Sequence, residues 1–246
     1  MSAALRVAVI SDIHGNLHAL ETVLAEIDAE SVDEVWSLGD TVGYGPRPNE
    51  CCALAKDRAE ISLIGNHDLV ALGAISVSEF NEDAAAAALW TSRVLDEGAR
   101  AFLTDLEPQG ERAGVRLFHG SARDPVWEYV LTDEAARATL DAVDEDLVLV
   151  GHSHVALAVA ESEDGVAGGV APGGAEVELR DARWLLNPGS VGQPRDGDSR
   201  AAWLLLDLDR RFATFRRVEY PIEETQAEMR ERGLPAALAA RLAHGE

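Results

Sequence analysis

The feature that most constrains the fold of this chain is a four-residue apolar run, residues 7–10, followed directly by Ser11-Asp12-Ile13-His14-Gly15-Asn16. A short apolar run that ends in a turn predicts a buried β-strand. Because side chains alternate along extended backbone, Asp12 and His14 are expected on the same side of the chain. The glycine permits a sharp turn, and Asn16 is a good N-cap for the amphipathic helix that follows. The segment therefore predicts a strand that delivers a carboxylate and an imidazole to one place.

Four later segments repeat this arrangement, in which an apolar run ends in residue types that bind metal ions. The runs at 32–38, 61–64, 115–118 and 147–150 are followed by Gly39-Asp40, Gly65-Asn66-His67-Asp68, His119-Gly120-Ser121 and Gly151-His152-Ser153-His154. The early strand–helix units predict a parallel sheet with right-handed connections, whose ligands bind beyond the carboxyl ends of the strands. One such segment alone is usually a capped turn, whereas five in order are specific evidence for a site.

The rest of the chain predicts further helices and strands. Helices are expected within 69–107, from the cap Thr132 to about 143, around 51–56 with Asn49 as the cap, and at 222–232 and 236–244. Strands are expected at 155–160 and 177–179, and antiparallel strands at 184–186, 201–208 and 212–218. The Gly-rich, acidic segment 161–174 is expected to be a mobile hairpin tip.

This order of elements predicts one fold class and one domain. The expected class is α/β, as a four-layer αββα sandwich of two facing mixed β-sheets with helices outside. We expect a single domain over residues 1–246, with a helical insert at about 69–107 and C-terminal helices at about 222–244.

The charge balance of the chain disfavours several classes of partner. The 246 residues carry a formal net charge of −23, and Lys56 is the only lysine. Such a surface repels polyanions, so neither a nucleic-acid polymer nor an anionic membrane is expected as a partner. No run approaches the ~20 apolar residues of a membrane helix, no signal peptide is evident, and Cys51 and Cys52 fit a reducing compartment. We therefore expect a cytoplasmic protein; its oligomeric state, and whether its acidity reflects a salt-rich cytosol, stay open.

The residues at the strand ends form a donor set that suits divalent transition-metal ions. The set consists of Asp12, His14, Asp40, Asn66, His67, His119, His152 and His154. Carboxylates, an amide oxygen and imidazoles bind Mn, Fe, Zn and similar ions, and the lack of sulfur disfavours copper(I) or an iron–sulfur cluster. Such a set is too large for one tetrahedral ion, but it fits two ions about 3.5–4 Å apart that share a bridging carboxylate.

Taken in order, the motifs Asp-x-His, Gly-Asp, Gly-Asn-His-Asp, a lone His and Gly-His-x-His resemble those of the calcineurin-like metallophosphoesterase superfamily. The strings at 39–46 (GDTVGYGP) and 187–195 (NPGSVGQPR) resemble its small prokaryotic, stand-alone phosphodiesterase-like branch. The resemblance runs from residue 5 to about residue 218 and includes all five motif blocks. It implies a metal-dependent phosphoric ester hydrolase.

The resemblance also implies a role for each site residue. It assigns Asp12, His14 and His154 to a first metal ion, and Asn66, His119 and His152 to a second. Asp40 bridges the two ions, for which we expect manganese, with Fe, Zn, Ni or Co as alternatives. His67 is implied to protonate the leaving oxygen or to stabilise charge on it, and Asp68 to orient the His67 imidazole. The implied nucleophile is a hydroxide that bridges the ions.

Two residues outside the ligand set are candidates for substrate binding. Tyr44, in a glycine-rich turn, either lines the substrate pocket or packs in the core. Arg195 lies in a loop expected to face the same strand ends, where its guanidinium either binds a phosphate oxygen or pairs with Asp196 or Asp198 at the surface.

Three functions are compatible with this sequence. The leading prediction is a dimetal phosphoesterase that hydrolyses phosphodiester bonds of small or nucleotide-type substrates. The first alternative is a protein serine/threonine phosphatase of the same fold, which the lack of a peptide-binding extension and the acidity of the chain disfavour. The second alternative is a non-catalytic metal-binding scaffold, which would need neither His67 nor Asp68.

Overall fold

The computed structural model describes residues 5–246, and within them the chain forms twelve β-strands and eight α-helices. The strands are β1 Arg6–Ile10, β2 Glu34–Ser37, β3 Ile61–Ser62, β4 Gln109–Arg112, β5 Val115–Phe118, β6 Leu147–Val150, β7 Ala156–Ser162, β8 Gly165–Val170, β9 Glu176–Glu178, β10 Arg183–Pro188, β11 Ala201–Asp207 and β12 Phe212–Val218. The helices are α1 Leu17–Ala29, α2 Pro48–Arg58, α3 Asn66–Leu72, α4 Glu82–Val94, α5 Glu97–Thr104, α6 Asp133–Asp141, α7 Ile222–Glu231 and α8 Ala236–Arg241, with a 3₁₀ turn at Val77–Glu79.

The strands form two six-stranded sheets, each of mixed direction. The first sheet has the order β3-β2-β1-β11-β12-β9, in which β1, β2 and β3 run parallel and β11 is antiparallel to β1. The second has the order β4-β5-β6-β10-β7-β8, in which β5, β6 and β10 run parallel. Since β1, β2 and β3 run parallel in the first sheet, and β5 and β6 run parallel in the second, the polar residues that follow these five strands meet at one edge.

Alternating side chains divide the central strands between an inner and an outer face. On β1, Val7 and Val9 belong to the core between the two sheets, which also contains Leu149 of β6. The other side chains of β1, Ala8 and Ile10, pack in a second cluster with the apolar face of α1. Since both faces of these strands are covered, their sequences are continuous apolar runs rather than alternating ones.

The helices complete the outer layers of the sandwich. Helix α1 covers the outer face of the first sheet through Leu20, Val23 and neighbouring residues. Helix α6 covers the second sheet, where Ala136 and Leu140 pack against Val148 and its neighbours. The predicted α/β class and the four-layer αββα arrangement are confirmed.

Two groups of helices pack beside the turn that carries Val42 and Tyr44. Residues of α2, α3 and α5 form an apolar cluster around Val42. Residues of α4, α7 and α8, among them Met229 and Leu238, form another around Tyr44. No helix of the described part of the chain has the length and apolar character needed to cross a membrane.

Three expectations for local structure are wrong in part or in whole. The segment 161–174 contains a hairpin tip as expected, but most of it is strand, because β8 pairs with β7 from Leu157↔Val170 to Ser162↔Gly165. The strand β10 is antiparallel to β7 as expected, but it is parallel to β6. Asn49 does not cap α2, which begins at Pro48. The Asn49 amide instead donates to the carbonyl of Val94 and accepts from the backbone N–H of Asp96, so it joins α2 to the α4–α5 connection.

Candidate metal centre

The loops at the strand ends hold the candidate ligands in an uncommon backbone conformation. Positive φ angles of 51° to 63° occur at Asp12, His14, Asp40, His152 and His154. Such values are uncommon for residues other than glycine, and they persist where the surrounding structure fixes the backbone. Here Asp12 N–H donates to Gly39 O at 3.0 Å and His14 N–H donates to Asp40 O at 2.9 Å. Two neighbouring loops therefore hold each other in place.

A first group of ligand atoms comes from Asp12, His14, Asp40 and His154, and all of these atoms lie within 4.8 Å of one another. The side chains are buried. His14 Nε2 lies 2.9 Å from His154 Nε2 and 3.6 Å from Asp40 Oδ2, and His154 Nε2 lies 3.4 Å from Asp12 Oδ1. The sequence prediction that these four residues meet is confirmed by this geometry, whereas their binding of an ion stays a prediction.

The other ring nitrogens of the two histidines define their tautomers. His14 Nδ1 lies 3.1 Å from the carbonyl of Val42, and His154 Nδ1 lies 2.6 Å from the carbonyl of Gln193. A carbonyl only accepts, so both Nδ1 atoms carry the proton, and both Nε2 atoms present a lone pair. Two lone pairs 2.9 Å apart repel each other unless a cation lies between or beside them. The first group therefore has the chemistry of a cation site.

A second group of ligand atoms comes from Asp40, His119 and His152, again within 4.8 Å of one another. His119 Nδ1 donates to the carbonyl of Leu38 at 2.9 Å, so its Nε2 lone pair faces Asn66 Oδ1 at 3.2 Å. His152 Nε2 donates to a backbone carbonyl at 3.1 Å, which leaves its Nδ1 as the acceptor. Atoms that carry lone pairs therefore face each other in the second group as they do in the first.

Asp40 is common to both groups. Its Oδ2 lies 3.6 Å from His14 Nε2 and 3.5 Å from His119 Nε2. Within residues 5–246, Asp40 Oδ2 and Asp12 Oδ1 are buried without a hydrogen-bond partner, which is costly for a carboxylate. These orphaned oxygens and the facing lone pairs fit two divalent cations that share Asp40.

Burial shifts the pKa values of the candidate ligands toward their neutral forms. Without a bound cation, burial raises the pKa of Asp12 to about 7. Burial also raises the pKa of Asp40, and the nearby Asp68 carboxylate adds to this rise. Burial lowers the pKa of His14 and of His154, so their imidazoles are neutral and ready to coordinate.

His67, Tyr44 and Arg195 lie together beside the first group. The Tyr44 ring lies 4.3 Å from the His67 ring and 4.6 Å from the His14 ring, centroid to centroid. Arg195 Nη2 donates to the Tyr44 hydroxyl at 3.3 Å and to Gln193 Oε1 at 3.0 Å. Tyr44 is both packed in the apolar cluster with α7 and α8 and in contact with the site residues.

The carboxylates that the sequence offers as surface partners of Arg195 are both occupied. Asp196 forms a buried ion pair with Arg217, and Asp198 pairs with Arg200. Within the described residues Arg195 makes no ion pair. Its guanidinium is therefore a free positive charge beside the candidate metal ligands.

The expected contact between Asp68 and the His67 imidazole is not present. The Asp68 carboxylate accepts instead from three backbone N–H groups, those of Thr41, Val42 and Gly65, at 2.9 to 3.2 Å. His67 Nδ1 has no hydrogen-bond partner in residues 5–246. Because both carboxylate oxygens accept from backbone N–H groups at the start of α3 and in the turn after Asp40, Asp68 holds these two loops together and does not orient the His67 ring.

Four residues near the site were not identified from the sequence. Gln193 accepts from Arg195 through its side chain and from His154 through its carbonyl. Trp127 supplies the carbonyl that accepts a hydrogen bond from His152 Nε2. Tyr129 stacks on the His152 ring, and Phe80 packs on the His67 ring. Gln193 lies within the string 187–195 that carries the resemblance, whereas the three aromatic residues lie in loops without a motif.

The chain is similar to several known proteins. Residues 5–211 match the sequence model described as the calcineurin-like phosphoesterase superfamily domain. The protein called "Uncharacterized protein MJ0912" of Methanocaldococcus jannaschii is 37% identical over 244 residues, which are 96% of each chain.

A solved structure and a shorter match add to these similarities. The crystal structure of a metallophosphoesterase from Sphaerobacter thermophilus is 44% identical and superposes with a TM-score of 0.90, over 99% of this chain and 100% of that chain. A symmetrical bis(5'-nucleosyl)-tetraphosphatase of Actinobacillus pleuropneumoniae is 34% identical over 64 residues, which are 25% of this chain and 24% of that protein.

The pKa of Asp12 predicts how metal affinity depends on pH. Below pH 7 an incoming ion must displace a proton from Asp12, whereas above pH 7 the carboxylate is already ionised. We expect the affinity of chelator-treated protein for Mn²⁺ to rise from pH 6 to pH 8. If one proton is displaced, the rise is about tenfold for each pH unit below 7. Isothermal titration calorimetry at several pH values measures this.

The matched control is His18→Gln, which removes a histidine of α1 that lies outside both ligand groups. This variant should show the same pH dependence as the unchanged protein. Equal affinities at pH 6 and pH 8 in the unchanged protein would show that the ligand carboxylates do not titrate in this range.

Proposed function

The chain belongs to the calcineurin-like phosphoesterase superfamily, and from that membership we propose that it is a hydrolase that uses two divalent metal ions to cleave small phosphodiesters, nucleotide-type substrates included. The observation that carries this proposal is the pair of ligand groups that share Asp40. In the proposal, Asp12, His14 and His154 hold one ion, and Asn66, His119 and His152 hold the other. Manganese suits this oxygen and nitrogen donor set.

Bound in these groups, two divalent ions would lower the pKa of water and draw charge from the phosphate oxygens. Hydrolysis then joins a water oxygen to phosphorus and breaks one ester P–O bond, which yields a phosphomonoester and an alcohol. The alcohol oxygen leaves with negative charge and needs a proton or a hydrogen-bond donor. The protein must therefore place a donor opposite the attacking water.

We assign that role to His67. Its ring is buried and fixed between Tyr44 and Phe80, at 4.3 Å from each ring centroid. Burial and the neighbouring His14 hold the pKa of His67 well below its ordinary value, so at neutral pH it is a neutral imidazole that donates one N–H. Its backbone N–H donates to Asp40 Oδ1 at 2.9 Å, which ties its position to that of the shared ligand.

Arg195 is the residue proposed to bind the phosphate group of the substrate. Its guanidinium is free of carboxylate partners, and its Nε is buried without a partner among the described residues. A planar guanidinium binds two phosphate oxygens at once. Gln193 and Tyr44 orient it from one side through hydrogen bonds to Nη2.

The charge of the whole chain favours small substrates. With two divalent ions bound beside Arg195, the site would be positive and would attract a short anion. A long polyanion would still meet repulsion over many phosphates from a chain of formal charge −23. The partial similarity to a bis(5'-nucleosyl)-tetraphosphatase supports a nucleotide-type substrate.

The test of the proposed function compares three substrates under one set of conditions. We expect turnover of bis-p-nitrophenyl phosphate with Mn²⁺ to exceed that of p-nitrophenyl phosphate and of a phosphoserine peptide. Faster turnover of the peptide would favour a protein phosphatase. No turnover of any of the three, with metal bound, would favour a non-catalytic scaffold.

The donor role of His67 predicts a dependence on the leaving group. His67→Ala should lower kcat by about 10²–10⁴ for a diester that releases an alkyl alcohol, because the alkoxide loses the N–H donor of the imidazole. The loss should be much smaller for p-nitrophenolate, which departs without a proton. Steady-state kinetics on the two diesters, with metal content from elemental analysis, measure both effects. An equal loss on both diesters, or a loss of metal, would contradict the role.

The assignment of Arg195 predicts an effect on substrate binding. Arg195→Ala should raise KM for a small diester by about tenfold or more with a smaller change in kcat, because a charge-assisted bidentate contact is lost. The matched control is Arg200→Ala in the same segment, whose guanidinium pairs with Asp198 at the surface. An unchanged KM for Arg195→Ala, or the same change in both variants, would show that Arg195 does not bind the phosphate.

A further inference from the structure

Aromatic side chains that belong to no sequence motif border the second ligand group. The ring of Tyr129 lies flat on the ring of His152, with 4.0 Å between centroids and 17° between planes. The residue is nevertheless 47% exposed. One face of the ring rests on the imidazole, so the opposite face is the one left for a further stacking partner.

The loop that carries Tyr129 is held firmly by its own contacts. Glu128 accepts from Ser121 Oγ and pairs with Arg123. Asp124 Oδ1 accepts from the backbone N–H of Trp127 at 3.0 Å, and the Trp127 carbonyl accepts from His152 at 3.1 Å. These bonds fix the two residues before Tyr129, and the residue after it, Val130, is buried in the apolar cluster with α6. The position of the Tyr129 ring is therefore set by its neighbours on both sides.

The same loop reaches the opposite side of the site. The Trp127 ring meets the Phe80 ring edge to face at 5.7 Å, and Phe80 packs on His67 at 4.3 Å. Aromatic rings therefore border both the candidate metal ligand His152 and the candidate proton donor His67. In a chain this acidic, such uncharged rings offer a contact for a substrate that carries few negative charges.

An exposed flat ring beside a phosphate site has a well-known physical use. Bases of nucleotides stack on aromatic side chains, and this stacking tolerates different bases because each has a π-face. A tyrosine that served only to cover His152 would gain more from full burial of its ring.

We propose that the outer face of Tyr129 is a stacking site for the base of a nucleoside phosphodiester whose phosphate lies at the metal ligands. This inference rests on the proposed function, and it names the substrate class of that same site. In this arrangement the Tyr129 ring would lie between the base and the His152 ring. Trp127, which packs against Phe80, would lie beside the base.

Two diesters with the same leaving group and the same charge test this site. They are the p-nitrophenyl ester of thymidine 5′-phosphate and methyl p-nitrophenyl phosphate, which differ in the nucleoside. We expect the unchanged protein to prefer the nucleoside ester, and Tyr129→Ala to lower that preference, measured as the ratio of kcat/KM values, by about tenfold or more. The loss should lie mainly in KM, and Tyr129→Phe should keep the preference.

The control variant is Leu131→Ala, which changes another exposed apolar residue of the same loop and should keep the preference. If Tyr129→Ala lowers kcat/KM equally for both esters, Tyr129 acts only through His152 and the proposal is overturned. An equal loss of preference in Leu131→Ala would overturn it as well.

Binding of thymidine 5′-phosphate separates this proposal from the proposed function, since it needs no turnover. Calorimetry of the Mn²⁺-loaded protein should show tighter binding to the unchanged protein than to Tyr129→Ala. If neither ester is cleaved but this difference is present, the stacking site stands and the hydrolase assignment fails. If both esters are cleaved but the difference is absent, the hydrolase assignment stands and the stacking site fails.

Discussion

The structure of this protein depends on one electrostatic constraint, the convergence of buried lone pairs at the edge of two sheets. His14 Nε2 and His154 Nε2 face each other at 2.9 Å, and carboxylate oxygens of Asp12 and Asp40 lie close by without donors. Burial of such a set is unfavourable for the protein alone and becomes favourable when cations compensate it. Part of the stability of the fold is therefore linked to its ligands.

The surrounding backbone is built to keep this convergence. The loops after the strands contain residues with left-handed backbone conformation. Two glycines in these loops let the backbone lie close to the candidate ligands. A Cβ on Gly65 would lie 2.1 Å from Asp40 Oδ1, and one on Gly39, whose φ is +101°, would lie 2.7 Å from His119 Nδ1. The Asp68 carboxylate accepts hydrogen bonds from three backbone N–H groups of the same loops. Helix α7 is joined to the loop after β1, since Thr225 Oγ1 donates to Asn16 Oδ1 at 3.1 Å.

Much of the fold, and the convergence of the candidate ligands, was predictable from the sequence, because buried parallel strands are short apolar runs that end at the site. The strands at 115–118, 147–150 and 212–218 have the predicted bounds. The edge strand β4 was missed because its residues are polar and half exposed, and β8 because its glycines conceal the alternation of side chains. The contacts of Asp68, Arg195 and Tyr129 depend on which partners are already taken, and that information exists only in three dimensions.

Asp40 is proposed to join two metal ions in one site, and metal content per chain tests this role most directly. Elemental analysis of Mn²⁺-loaded protein after desalting should give about two ions per chain for the unchanged protein. Asp105→Asn, which alters an exposed carboxylate at the end of α5, should give the same value. Asp40→Asn should lose both ions, because each ligand group loses its shared oxygen and its charge. Two ions retained in Asp40→Asn would contradict the account.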